Sequence, residues 1–374
     1  MAEDAPPMRA DDLAASDAWT PEPDDGAGIT TPWPEPPAEG EATEIAEGAL
    51  WLRLPLPMQL DHVNCYAFAG GDGWTLIDTG MDTRRTRAIW TRLLTDGPLA
   101  GRPVARIIAT HHHPDHIGLA GWFQEQGAQL WTSRTAWLMA RMLVLDEQER
   151  PPRESIAFMR RAGMPPEMLA RRAAERPFNF ADSVHALPLG YTRLTEGQTV
   201  RFGGRDWAVR MGDGHAPEHI TLWSRDDDLV IGGDQLLPGI SPNLGVYPTE
   251  PEADPVADWL AACARLAPHA RAGQLVLPGH KLPFRGLPAR LRQLADNHVS
   301  ALSRLEAALV ETPMTPADSF TLLFRRQISA DNFGLALVEA VAHFNHLAQA
   351  GRIRIVGQTP DGADLWRAGD HSGG

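Results

Sequence analysis

Residues 111–116 read His-His-His-Pro-Asp-His, so five side chains able to bind a metal or move a proton fall within six positions. Imidazole nitrogen and carboxylate oxygen are the ligands that zinc takes at about 2.0–2.2 Å. The run follows an apolar stretch, Val104–Ala109, that reads as a strand. A strand continuing through the motif would point His111 and His113 to one side and His112 to the other. Asp115 and His116 would follow in the turn and face a second ion.

Three later segments repeat the pattern. Gly214-His215, Gly233-Asp234 and Gly279-His280 follow or end the short apolar runs Trp207–Met211, Leu229–Ile231 and Leu275–Leu277. Loops at strand ends are where folds collect functional groups. Upstream, Asp78-Thr79-Gly80 ends another such run. A carboxylate in that setting is expected to be buried and to need partners, so Asp78 is expected to hold the ligand loops.

With these residues in this order, the chain resembles the metallo-β-lactamase superfamily of metallohydrolases over roughly residues 48–295, in particular its glyoxalase-II and lactonase-like branch. The resemblance implies a centre for two Zn2+ ions, with Mn2+ or Fe2+ as alternatives suited to the same nitrogen and oxygen ligands. His111, His113 and His215 would hold the first ion. Asp115, His116 and His280 would hold the second, and Asp234 would bridge them. His219 is expected to orient a ligand. The family often has glycine where this chain has Glu218, which is assigned to the rim. The zinc β-lactamases that place cysteine at the position of Asp234 are a poorer match.

The implied chemistry is attack by a metal-bridging hydroxide on the carbonyl of a small acyl substrate, a thioester, ester or lactone. Asp115 would also pass a proton to the leaving group. Tyr191 is a candidate to hydrogen-bond the oxyanion, and Asn64, Asn243 and Lys281 are candidates for substrate contact. A metal-dependent endoribonuclease and a mononuclear iron sulfur dioxygenase are the alternative readings.

The elements that must position these residues follow from periodicity and breakers. Strands are expected over Ala49–Leu56, Val63–Gly70 and Trp74–Asp78, then helices near Thr83–Leu94 and Leu119–Gln126. The fold class expected is α+β, a four-layer αβ/βα sandwich over residues 45–287. A helical cap is inserted at 134–195, with helices over Arg134–Leu145, Arg153–Ala162 and Pro165–Ala174. Its Met139, Met142, Met159, Met164 and Met168 would either line an adaptable pocket or pack the cap onto the core; packing is the favoured reading. Residues 288–370 read as three helices and a two-stranded ribbon around Pro360-Asp361-Gly362, which resembles a winged-helix module.

Composition limits the remaining classes. The net charge is -14, but residues 1–47 hold 13 acidic residues against Arg9 alone, so the acidity belongs to that segment. Residues 1–44, acidic and rich in proline, are expected to be disordered. Lys281 is the single lysine, and residues 300–374 carry six arginines against eight acidic residues. That balance argues against nucleic acid as a partner and favours a structural role for the C-terminal module, either covering the core or forming a homodimer surface. Two distant cysteines suit a reducing compartment. No apolar run approaches the ~20 residues of a membrane span. A cytoplasmic location is expected.

Overall fold

The structure is a computed structural model and describes residues 28–369. Two sheets pack face to face. The first has seven strands in sequential order: β1 (Thr43–Ala46), β2 (Ala49–Pro55), β3 (His62–Ala69), β4 (Trp74–Ile77), β5 (Val104–Ile108), β6 (Gln129–Thr132) and β7 (Thr192–Arg193). Pairing is antiparallel up to β4 and parallel from there. The second sheet has β8 (Thr199–Phe202), β9 (Arg205–Gly212), β10 (His219–Ser224), β11 (Leu229–Gly233) and β12 (Leu275–Pro278), antiparallel except for the β11–β12 pair.

Side-chain alternation builds the layers. In β3, Tyr66 and Phe68 face the second sheet, while Val63, Cys65 and Ala67 face outward to the first helical layer. In β12, Leu275 and Leu277 face inward and Val276 outward. The space between the sheets is filled by Trp51, Phe68, Trp207, Ile220 and their neighbours. Each aliphatic side chain fully buried in this way contributes about 1.5–3 kcal/mol.

Helix α1 (Arg84–Thr95) covers the first sheet through Ile89, Trp90 and Leu93. Thr83 caps it by accepting the amide of Thr86. The short helices α2 (Pro114–Ile117) and α3 (Ala120–Glu125) follow β5. The expected four-layer sandwich is therefore present.

The segment expected to form a cap holds α4 (Arg134–Leu145), α5 (Arg153–Arg161) and α6 (Pro166–Ala174). It is split between the two halves of the molecule. Ala140 and Trp137 of α4 pack with the first helical layer, whereas Met159, Met164 and Met168 pack into the C-terminal core. Those three methionines are thus packing residues; Met142 is exposed.

Helix α7 (Pro255–Leu266) covers the second sheet. Beyond it, α8 (Leu287–Glu311), α9 (Phe320–Phe324), α10 (Phe333–Gln349) and the ribbon β13 (Ile353–Gln358) and β14 (Asp364–Ala368) form the C-terminal module. Ala336, Leu337, Ala340, Val341, Phe344 and Leu347 bury one side of α10.

One expectation needs correction. Residues 28–44 are not a loose tail: Thr30 exchanges backbone hydrogen bonds with Arg285, and Trp33 packs against the inter-sheet core. Glu39 also pairs with Arg85. Proline-fixed extended chain has little conformational entropy left to lose, so one partly buried tryptophan and a few polar contacts suffice to hold it. Residues 1–27 lie outside the described residues.

Candidate metal centre

All seven expected ligands gather at one end of the sandwich, in loops after β5, β9, β11 and β12. Strand β5 stops at Ile108, so His111 and His113 project from a turn and not from a continuing strand. They meet nonetheless, with His111 Nε2 3.0 Å from His113 Nδ1. Three sets have ligand atoms within 4.8 Å of one another: His111, His113 and His215; His111, His116 and Asp234; and Asp115, His116 and His280.

The spacing inside the cluster is that of ligands around an ion. His116 Nε2 lies 3.4 Å from Asp234 Oδ1 and 3.5 Å from Asp115 Oδ2. His280 Nε2 lies 3.3 Å from Asp234 Oδ2 and 3.4 Å from Asp115 Oδ2, and His215 Nε2 is 3.5 Å from Asp234 Oδ2. Tetrahedral ligands at zinc bond lengths stand about 3.3–3.5 Å apart. Direct N–H···O bonds would be nearer 2.9 Å. His116 Nε2, His215 Nε2 and Asp234 Oδ1 are buried without a hydrogen-bond partner. Unpaired polar atoms so placed are costly unless a ligand satisfies them, so the residues fit divalent metal. Asp234 reaches both sides, one oxygen toward His116 and the other toward His215 and His280.

Electrostatics agree. Burial, with neighbouring imidazoles adding to it, holds His111 and His113 well below the usual histidine range, the neutral form a metal needs. Burial works in the same direction on His116 and His280. There it is outweighed by Asp234 and Asp115, which raise His116 well above its ordinary value and His280 to about 10. The carboxylates call for positive charge at this point, whether protons or cations supply it.

Three of the rings are oriented from behind. His116 Nδ1 donates to Asp78 Oδ2 at 2.8 Å, and Asp78 also accepts the amide and hydroxyl of Thr110. His280 Nδ1 donates to the carbonyl of His62 at 2.7 Å, and His215 Nδ1 to the carbonyl of Asn243 at 2.9 Å. His219 Nε2 accepts the amide of Asp234 at 3.1 Å, and its ring stacks on His111. Glycines let the loops close in. A Cβ at Gly279 would come within 2.2 Å of Asp234 Oδ1, and Gly233 adopts a φ of 48° against the ring of His219.

The residues expected around the cluster fared unevenly. Asp78 bonds the His116 ring and His219 bonds the Asp234 amide. Glu218 accepts the amide of Thr135 at the start of α4. Asn64 does not face substrate. It is 1% exposed, donates to the carbonyls of Pro278 and Lys281, and accepts from the Trp51 indole. With every hydrogen-bonding group committed inside the protein, it clamps the His280 loop to the first sheet. Tyr66 adds a hydroxyl bond to Pro278. Asn243 is committed through its amide to α10. Lys281, at a φ of 69°, contributes its backbone: its amide donates to His62 Nε2 and its carbonyl accepts from Asn64 and Arg53. Tyr191 stacks on Trp137, ring centroids 4.8 Å apart. No contact joins it to the imidazole cluster among the described residues. Nothing in the sequence marks His62, whose role lies in its main-chain carbonyl.

Comparison with known proteins places these features in context. Residues 58–312 match the model of the metallo-beta-lactamase superfamily, and residues 302–367 match that of the metallo-beta-lactamase-like C-terminal domain. A probable metallo-hydrolase from Bacillus subtilis, YqjP, is 24% identical over 80% of this chain and 92% of its own length. The acyl-coenzyme A thioesterase MBLAC2 of Gallus gallus is 26% identical over 68% of this chain and 85% of its own. Among solved structures, a beta-lactamase domain protein from Burkholderia ambifaria superposes with a TM-score of 0.81 at 35% identity, covering 91% of this chain and 97% of that one.

Proposed function

Because this chain belongs to the metallo-β-lactamase superfamily, a family of metal-dependent hydrolases, we propose that it cleaves a small acyl thioester, with esters and lactones as chemically adjacent substrates. The observation that carries the reading is the seven-residue cluster spaced for two ions with Asp234 between them. Resemblance to a relative named as an acyl-coenzyme A thioesterase supports the substrate class.

Two divalent ions, zinc by the nitrogen and oxygen character of the ligands, would supply Lewis-acid activation of the carbonyl and of water. The chain's own residues do the rest. His62, Asp78 and Asn243 fix the ring tautomers, so the free nitrogens of His280, His116 and His215 face the centre. Asp115, between His116 and His280, is placed to take a proton and return it to the leaving thiolate. The Gly279 and Gly233 backbones close the floor of the site.

An apolar track supports an acyl chain as the group bound. Leu138, Met142 and Leu145 are exposed along one face of α4, at the helical spacing that puts them in line. The first turn of that helix is tied to Glu218, three residues from His215. The reading assigns no role to Tyr191.

The test is product release from acyl-CoA thioesters, acyl lactones and single-stranded RNA, comparing the zinc-loaded protein with His113→Ala. Thiol release that is lost in the variant is the expected result. Cleavage of RNA with no thioester or lactone turnover would overturn the proposal.

A further inference from the structure

The twenty residues between Asp234 and α7 contain no helix or strand, so their polar groups must find partners on other elements. Arg290 of α8 holds the carbonyls of Leu237 and Ile240, and helix α10 is the template for the rest. Asn243 Nδ2 donates to Glu339 Oε2 at 2.8 Å and to the carbonyl of Leu335 at 3.0 Å. The amide of Val246 donates to the carbonyl of Val338. Asn345 Nδ2 donates to the carbonyls of Pro251 and Ala253, His346 pairs with Asp254, and Gln349 donates to the carbonyl of Glu252. Positions 335, 338, 339, 345, 346 and 349 recur at the spacing that lines up along a helix, so this side of α10 reads the loop from 243 to 254.

At its near end the template reaches the metal centre. Asn243, held by Glu339, turns its main-chain carbonyl to His215 Nδ1 at 2.9 Å. That bond leaves His215 Nε2, a buried atom without another partner, facing His111 and His113. Hydrogen bonds behind a ligating histidine set its tautomer and orientation and raise its basicity. We propose that Glu339 is a positioning residue for the first metal, through which the C-terminal module sets the His215 ring by way of Asn243. The polar side of α10 gains a role beyond packing. Burial pushes the Glu339 carboxyl up to about 8, so at neutral pH glutamine reproduces its charge as well as its shape.

The inference rests on the ligand role proposed for His215, and a zinc titration against a chromophoric chelator, run on the full chain, separates the two. His215→Ala should lose one tight site; if it binds two zinc ions as the wild type does, the ligand role and this inference both fall. Glu339→Ala should weaken one of the two ions by roughly 10–100-fold and shift the visible absorption of the cobalt-substituted protein. Glu339→Gln should stay within about threefold of wild type. Gln349→Ala cuts the same loop from the same helix at its far end, and should lower the melting temperature without changing zinc affinity. A folded Glu339→Ala protein with wild-type zinc affinity would overturn the proposal while leaving His215 a ligand. So would Gln349→Ala or Glu339→Gln weakening zinc as much as Glu339→Ala does.

Discussion

Asp78 and His116 lie on different loops of the first sheet, yet Asp78 Oδ2 accepts the Nδ1 proton of His116 at 2.8 Å while its other oxygen accepts the amide of Thr110. One carboxylate thus ties the ligand motif at both ends, at a φ of 59° that few residue types adopt readily. Asp78→Asn can keep one acceptor but loses the charge and the second acceptor. Metal affinity should fall roughly 10–100-fold, as measured by chelator competition. Wild-type affinity in the variant would show that the Asp78 contact is structural only.

Gly279 gives a sharper steric test. A methyl group there would sit 2.2 Å from Asp234 Oδ1 and 2.8 Å from His116 Cε1. Gly279→Ala must therefore displace the Asp234 carboxylate. The expected outcome is a folded protein, by circular dichroism, whose metal content drops below two ions. Full occupancy in the variant would mean that Asp234 does not need its observed place.

The C-terminal module should respond to acid. His298 and His343 face each other in its core, Nδ1 to Nε2 at 3.3 Å. Burial lowers them to about 3 and about 4, respectively. Both resist protonation in the folded state, whereas the unfolded chain takes up protons near pH 6.5. Their contribution is therefore complete above pH 6.5 and is lost as pH falls toward 4, a loss on the order of a few kcal/mol. Denaturant unfolding of wild type and His298→Met between pH 4.5 and 6.5 checks this. The variant should show the shallower dependence of stability on pH, and equal slopes would contradict the account.

The convergence of the seven candidate ligands was legible in the sequence because their chemistry resides in residue type, and the strands that carry them announce themselves by apolar runs. Their supports were not. His280 and His215 are oriented by the main-chain carbonyls of His62 and Asn243, groups that every residue possesses. Asn64 was misread because an asparagine beside a site looks the same in sequence whether it meets a substrate or clamps two buried loops. The side of α10 that packs was visible in its apolar residues. The side that holds the 243–254 loop was not, since its partners lie about 90 residues away. Residues 28–44 were assigned to a loose tail on composition, which does not register a single tryptophan packing against the inter-sheet core.

If the centre around Asp234 hydrolyses thioesters, it must release thiol from acyl-CoA, and the rate of that release should be followed over graded chain lengths. The wild type should be measured as purified, after chelation, and after zinc is restored, beside Asp234→Asn. The account predicts that turnover disappears on chelation, returns with zinc, and stays at background in Asp234→Asn at every metal concentration. Undiminished turnover in the chelated protein or in Asp234→Asn would contradict it.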